Sequence, residues 1–241
     1  MERYLLDVNL LILGAGRGTR LRPLTDNLPK TLLPLSESET IFLRLMKQFS
    51  EYIPPTNIWV NISTHALVFL QTLVTLELRN RPRVILEPEL LGTANTLFEL
   101  SSLENKPTLV VHGDLVLSDE YIDDLVQTLI ENTKFLVFCH RRSKNIARSQ
   151  VSCDNNGLVT EFSNHFEPNE STSSILVNSG IYFFPSLNNL GGAPKLGTEI
   201  AESILQDLVG RKELYAKEIR QKRISVDSLS QLEQARKMIT I

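Results

Sequence analysis

The apolar run from Val8 to Leu13 stops at Gly14 and gives way to glycines at 14, 16 and 18. A continuous apolar run bounded by a turn signal reads as a buried strand. The glycines let the backbone turn tightly and come close to a ligand. Arg17, Arg20, Arg22 and Lys30 then put four cations within fourteen residues of that turn. A strand, a glycine-rich turn and clustered cations together describe a cradle for a polyphosphate.

Two familiar glycine loops do not fit the spacing. A Walker loop needs four residues between its glycines and then Gly-Lys-Ser/Thr, whereas Gly14, Gly16 and Gly18 alternate and Lys30 lies well beyond them. A dinucleotide fingerprint started at Gly14 would need its third glycine where Thr19 stands. The acidic residue expected about twenty positions further on has only Glu37 and Glu39 as candidates.

The rest of the chain is consistent with a globular enzyme. At 241 residues and 42% hydrophobic it can bury a sizeable core as one domain. A net charge of −3 argues against general nucleic-acid binding, so the cations near the glycines are a local feature. Two cysteines, Cys139 and Cys153, make no disulfide framework or metal spacing. No apolar run approaches the ~20 residues of a membrane span, and Val8–Leu13 is too short for a signal-peptide core. The expected compartment is the cytoplasm.

Strand-like and helix-like runs alternate through the first 140 residues. Val8–Leu13, Asn57–Ile62, Arg83–Leu86, Thr108–His112 and Phe135–His140 read as strands. Ile41–Tyr52, Ala66–Leu78, Thr93–Ser101 and Glu120–Glu131 between them read as helices. This predicts an α/β fold with a mostly parallel sheet and helices on both faces. Ligands of such sheets bind beyond the carboxyl ends of the strands, where the glycine turn sits. Past residue 142 the pattern changes. Gln150–Cys153 and Leu158–Phe162 flank Asp154-Asn155-Asn156-Gly157, a hairpin signal. A polar loop over Asn164–Ser174, a strand over Ile175–Phe184, a helix over Glu199–Val209, a short strand over Arg223–Val226 and a helix over Ser230–Met238 follow.

Asp114 ends the apolar strand Thr108-Leu-Val-Val-His-Gly. A carboxylate there, facing a phosphate cradle, is placed to hold Mg²⁺; the competing reading is a turn or helix-cap aspartate. Gly92 and Thr93 precede a helical run, where a glycine lets backbone groups approach a base edge and Thr93 could equally cap the helix. Asn178, inside an apolar strand, both donates and accepts hydrogen bonds, which suits a hydroxyl-rich ligand. No Gly-x-Ser-x-Gly elbow or cysteine–histidine pair supports a covalent mechanism, and His65, His112, His140 and His165 lack close metal-ligand spacing.

Gly16-Arg17-Gly18-Thr19-Arg20-Leu21-Arg22-Pro23-Leu24-Thr25, followed by Pro29-Lys30-Thr31-Leu32-Leu33-Pro34, resembles the signature of the sugar-phosphate nucleotidyltransferases. Gly113-Asp114 is similar to that family's metal site, and Leu91-Gly92-Thr93-Ala94 to its base-lining segment. Val177-Asn178-Ser179-Gly180-Ile181-Tyr182 is similar to its sugar-binding strand. The resemblance implies a Rossmann-like sheet of the nucleotide-diphospho-sugar transferase type. It implies one domain over 1–241, with 1–142 as the nucleotide half and 143–241 as the acceptor half. It puts Leu13, Gly14, Ala15, Gly16, Arg17, Gly18, Thr19, Glu87, Gly92 and Thr93 on the nucleotide and Asn178 and Gly180 on the sugar. Arg20 and Lys30 become the catalytic cations. Phe162-Ser163-Asn164-His165 stands where the family has Glu-Lys-Pro, so His165 takes the place of the lysine that meets the sugar phosphate. For a second Mg²⁺ ligand, aligning the leucines puts Ser225 at the usual aspartate and Asp227 two residues on. Asp227, as a carboxylate, is the expected ligand beside Asp114.

The implied reaction joins a nucleoside triphosphate to a sugar 1-phosphate and releases pyrophosphate. A compact cytidylyltransferase acting on a phosphocholine-like acceptor and a non-catalytic nucleotide-sugar sensor are the alternatives.

Overall fold

The structure, a computed structural model, describes residues 5–130, 132–142, 149–163, 175–188 and 190–239. In chain order its elements are β1 (Asn9–Leu13), α1 (Ile41–Ser50), β2 (Ile58–Ile62), α2 (Ala66–Thr75), β3 (Arg83–Leu86), α3 (Thr93–Leu103), β4 (Thr108–His112), β5 (Leu115–Leu117) and α4 (Asp119–Leu129). They continue with β6 (Phe135–Arg142), β7 (Gln150–Cys153), β8 (Val159–Ser163), β9 (Ile175–Phe184), α5 (Ile204–Gly210), β10 (Leu214–Glu218), β11 (Arg223–Ser225) and α6 (Leu229–Ile239). The chain folds as two compact units: Met1–Leu90 with Val110–Ile130 and Gln221–Ile241, and Leu91–Leu109 with Glu131–Arg220. These do not follow the sequence halves 1–142 and 143–241. Leu91–Leu109 packs with the later residues, and the stretch after Gln221 returns to the earlier ones.

In the first unit, β1 is buried at every position, as a central strand of an α/β sheet must be. It pairs in parallel with β2, setting Leu13 opposite Asn61, and β2 pairs in parallel with β3. The order is β4-β1-β2-β3. Thr40 caps α1 by accepting a hydrogen bond from Leu43 N–H, and Ile41, Phe42, Leu45, Met46 and Phe49 form its buried face. Ser118 caps α4 in the same way, with Asp119 and Glu120 in the first turn where acidic groups suit the helix dipole. Phe42 and Phe69 meet edge to face at 4.8 Å between ring centres.

In the second unit, β6 lies between β10, parallel, and β9, antiparallel. The hairpin β7–β8 pairs with β9. Its turn forms as the sequence predicts: Asp154 Oδ1 accepts from Asn156 N–H at 2.8 Å and Leu158 N–H at 2.9 Å, with Gly157 at φ 81°.

The fold class is the expected one, α/β with a mostly parallel sheet and helices. One local expectation differs, two strands were not expected, and one expectation cannot be compared. The helix predicted over Glu199–Val209 is a 3₁₀ turn, Ile200–Glu202, followed by α5, because Ser203 breaks the helical backbone at φ −129°, ψ −74°. The strands β5 and β10 carry no sequence signal of their own. β5 has three residues, and β10 reads Leu-Tyr-Ala-Lys-Glu, of low strand propensity, and is held by its pairing with β6. The loop expected over Asn164–Ser174 lies outside the described residues.

Candidate active site

The first unit gathers the cations and carboxylates singled out by the sequence. After β1 the chain runs through Gly14–Gly18 to a 3₁₀ turn, Thr19–Leu21, that carries Arg20. Gly18 adopts a left-handed conformation at φ 61°, and its carbonyl accepts a hydrogen bond from the buried Thr25 hydroxyl at 2.8 Å. Leu13, Gly14 and Ala15 are buried, whereas Gly16, Arg17, Thr19 and Arg20 are exposed. Lys30 opens a second 3₁₀ turn, Lys30–Leu32.

Asp114 and Asp227, far apart in sequence, come together because β5 and β11 form an antiparallel ribbon. Leu115 pairs with Ser225, and Val226 N–H donates to the Asp114 carbonyl at 2.9 Å. Asp227 N–H in turn donates to Gln231 Oε1 at 2.9 Å. The turn before Asp114 has no room for a side chain: a Cβ on Gly113 would stand 2.6 Å from the Leu13 carbonyl oxygen and 2.6 Å from Thr31 Cγ2.

Lys30 Nζ donates to Asp114 Oδ2 at 2.6 Å and to Asp227 Oδ1 at 2.8 Å, and Arg20 reaches the same Asp227 oxygen at 3.1 Å. The Ser225 hydroxyl lies 3.4 Å from Asp114 Oδ2 and 3.3 Å from Asp227 Oδ2. Burial alone would raise the Asp227 pKa. The hydrogen bond and charge of Lys30, then Arg20 and Ser225, outweigh it and hold the carboxyl below its ordinary range. The sequence left Ser225 and Asp227 competing; it is Asp227 that shares the Lys30 ammonium with Asp114. Arg22 pairs instead with Asp26 at 3.3 Å on the surface.

Glu87, expected on the nucleotide, lies at the end of β3 in the first unit. It is buried, and Asn61 Nδ2 donates to its Oε1 at 2.8 Å. Asn61 Oδ1 accepts from Gly14 N–H at 2.7 Å. Asn61 escaped the sequence reading; its only signal is a lone amide in the apolar strand Ile-Trp-Val-Asn-Ile.

The other expected binding residues belong to the second unit. Gly92, at φ 87°, lies against the backbone of Gly197 and Thr198, and a Cβ there would stand 2.5 Å from the Gly197 carbonyl carbon. The Thr93 hydroxyl donates to Glu199 Oε2 at 2.6 Å and accepts from Ile200 N–H at 2.9 Å, so it caps the Ile200–Glu202 turn and not its own helix. Asn178 is oriented from both ends: Nδ2 donates to the Tyr182 hydroxyl and Oδ1 accepts from Gly180 N–H, both at 2.8 Å. Gly180 has φ 74°, which favours glycine. His140 Nδ1 lies 3.1 Å from the neighbouring Ser179 hydroxyl. His165 lies outside the described residues. Among the described residues no group of three or more His, Cys, Asp or Glu side chains could hold a metal, and no helix is long and apolar enough to cross a membrane.

The chain has relatives among known proteins. It is 24% identical over 179 residues to the "Bifunctional protein GlmU" of Methanococcus aeolicus, covering 73% of this chain and 40% of that one. The chain thus spans less than half the length of this curated relative. Its fold is that of a Bacillus anthracis protein provisionally named a glucose-1-phosphate thymidylyltransferase, with a TM-score of 0.77 and 18% identity over 96% of this chain and 94% of that one. The CTP:phosphocholine cytidylyltransferase LicC of Streptococcus pneumoniae superposes with a TM-score of 0.74 and 17% identity, over 97% of this chain and all (100%) of that one. The nucleotidyl transferase family model matches residues 9–220, most of the chain and both ends of the Lys30–Asp114 contact. As the signature between Gly16 and Pro34 suggested, the chain belongs to the nucleotidyl transferase family.

Proposed function

We propose that this chain transfers a nucleotidyl group from a nucleoside triphosphate to a sugar 1-phosphate, with release of pyrophosphate. The observation that carries the reading is the convergence of Arg20, Lys30, Asp114 and Asp227 beside a glycine-rich turn. Two anions must meet in this reaction, so charge neutralisation and positioning dominate its catalysis. The acceptor's phosphate oxygen attacks the α-phosphorus in line, and the bond to the β-phosphate oxygen breaks on the opposite side. No general base is needed, because the attacking phosphate is already ionised at neutral pH.

The amides of Ala15 to Thr19 and the Arg20 guanidinium hold the departing β- and γ-phosphates. Lys30 meets the charge that grows on the α-phosphate. In the first unit Leu13 and Gly14 complete the nucleotide side, with Glu87 behind them through its bond to Asn61; in the second unit Gly92 and Thr93 are the nucleotide candidates. Asn178, Gly180 and His165 serve the acceptor: Asn178 keeps one N–H and one lone pair beyond its bonds to Tyr182 and Gly180.

The donor set suits a hard divalent cation. Mg²⁺ is commonly held by one or two carboxylates, its remaining positions going to water and substrate phosphates. Asp114 and Asp227 already share one cation, the Lys30 ammonium. These two carboxylates would hold Mg²⁺, which when bound neutralises and orients phosphate oxygens.

The test is pyrophosphate release from each of the four ribonucleoside triphosphates and dTTP against a panel of sugar 1-phosphates and phosphocholine, with Mg²⁺ and with chelator. Turnover with one sugar 1-phosphate, abolished by chelator, is the expected result. Turnover with phosphocholine alone would assign the cytidylyltransferase reading. Nucleotide binding without turnover across the whole panel would assign a sensor.

A further inference from the structure

We infer that Asn61 is a positioning residue for the nucleotide loop, with its amide set by the buried carboxylate of Glu87. The inference rests on the nucleotide-binding part of the function proposed above. Gly14 is the first residue of the loop, and its N–H points to Asn61 Oδ1 at 2.7 Å. Because the Gly14 N–H is a donor, the amide of Asn61 must present oxygen to it and therefore nitrogen to the other side. On that side Glu87 Oε1 accepts from Asn61 Nδ2 at 2.8 Å. The relay lies out of water, with Asn61 at 3% and Glu87 at 2% exposure. A carboxylate that only accepts fixes the orientation of the amide, because an inverted Asn61 would set oxygen against oxygen at Glu87 and N–H against N–H at Gly14.

The backbone makes the relay necessary. β1 ends at Leu13, which pairs with Asn61 in the parallel register, so the ladder stops where the loop begins. A Cβ on Gly14 would stand 2.8 Å from the Asn61 carbonyl oxygen, so the loop leaves β1 in close contact with β2. The Asn61 side chain extends the ladder by one bond and aims the first turn of the loop. Glu87 follows directly after β3, with its own N–H donating to the Ile62 carbonyl at 2.9 Å. The ends of three strands are thereby tied to one loop amide.

The relay has a polarity that can be reversed. In the double variant Asn61→Asp with Glu87→Gln, the aspartate still accepts from Gly14 N–H, and the second bond takes its donor from the amide introduced at position 87. Binding of the α,β-methylene analogues of the four ribonucleoside triphosphates and dTTP is measured by calorimetry, alongside the Tm of each variant. Asn61→Ala is expected to weaken the analogue that the wild type binds best by about tenfold, the size of one lost hydrogen bond within a polar network. The KM for the acceptor should stay within about twofold of wild type, a split that a general loss of folding would not give. Asn61→Asp alone, with two carboxylates face to face, should be the weakest binder. The reversed pair should recover to within about threefold of wild type.

Unchanged nucleotide affinity in Asn61→Ala overturns the inference and leaves the proposed reaction standing. If Glu87 reads the base directly, Glu87→Gln changes the preference among the analogues and the reversed pair is not rescued; that result also overturns it. A wild type that binds none of the analogues overturns the proposed reaction and this role together. Should Asn61→Ala fail to fold, the comparison of Asn61→Asp with the reversed pair decides the question alone.

Discussion

Replacing Lys30 by methionine should raise the affinity of the free protein for a divalent cation while it lowers turnover. In the structure the ammonium lies 2.6 Å from one carboxylate oxygen and 2.8 Å from the other, where a cation held by Asp114 and Asp227 would also have to sit. A metal bound there would compete with the ammonium for the same oxygens. The side chains are only partly in water, with 14% of Lys30, 20% of Asp114 and 32% of Asp227 exposed. Coulomb attraction at that separation is roughly 1.5 kcal/mol per pair with the dielectric constant of water and larger inside a protein. Partial exposure and desolvation reduce the net to about 0.5–1 kcal/mol per pair. Two pairs therefore hold back metal by about 1–2 kcal/mol, or roughly fivefold to thirtyfold in affinity. The assay is Mn²⁺ binding followed by electron paramagnetic resonance without nucleotide, with Asp114→Asn as the variant that should lose the site. Turnover should fall in the same Lys30→Met protein, because the charge on the α-phosphate loses its partner. Affinity equal to or below that of wild type would refute the shared-oxygen argument.

Asp227→Ala should raise the metal requirement and cut turnover at least about tenfold more than Ser225→Ala, since a neutral hydroxyl is a poor Mg²⁺ ligand; equal effects in a pyrophosphate-release assay would place the second ligand elsewhere. The Asp227 carboxyl is held below its ordinary range, so its contribution to stability is fully present above the unfolded value of about 3.9 and is lost as pH falls through the lower folded value. The difference in unfolding free energy between wild type and Asp227→Asn should therefore be flat from about pH 7 to 5 and shrink below about pH 4, measured by urea titration. Gly113→Ala should lower stability by about 1–3 kcal/mol and slow turnover, since the new methyl meets the Leu13 carbonyl oxygen; an unchanged Tm would show that this turn can relax.

What the sequence revealed was local and what it hid was long-range. The glycine turn, its cations and Asp114 stand in short stretches whose strand-then-turn pattern can be read without knowing any neighbour. Asp227 could be preferred to Ser225 as a carboxylate, but its meeting with Asp114 and Lys30 could not be read in advance, because it depends on the β5–β11 ribbon and β5 is only three residues long. Glu87 was placed on the nucleotide by resemblance, and its bond to Asn61 could not be foreseen because it depends on β2 and β3 lying side by side. Thr93 was weighed as a cap, and it is one, but for a turn over a hundred residues away.

The β5–β11 ribbon also sets an order of events during synthesis. Lys30 and Asp227 are separated by 197 residues, so at about 5–20 residues per second the ribosome delivers the second carboxylate roughly 10–40 s after the lysine. Throughout that interval the glycine loop and its cations can form against β2 and β3, but the charge set is unfinished. A chain interrupted before residue 227 would carry Arg20, Lys30 and Asp114 without one of the two carboxylates that balance the lysine. Under the proposed function, such a product would meet a triphosphate with its charge set incomplete.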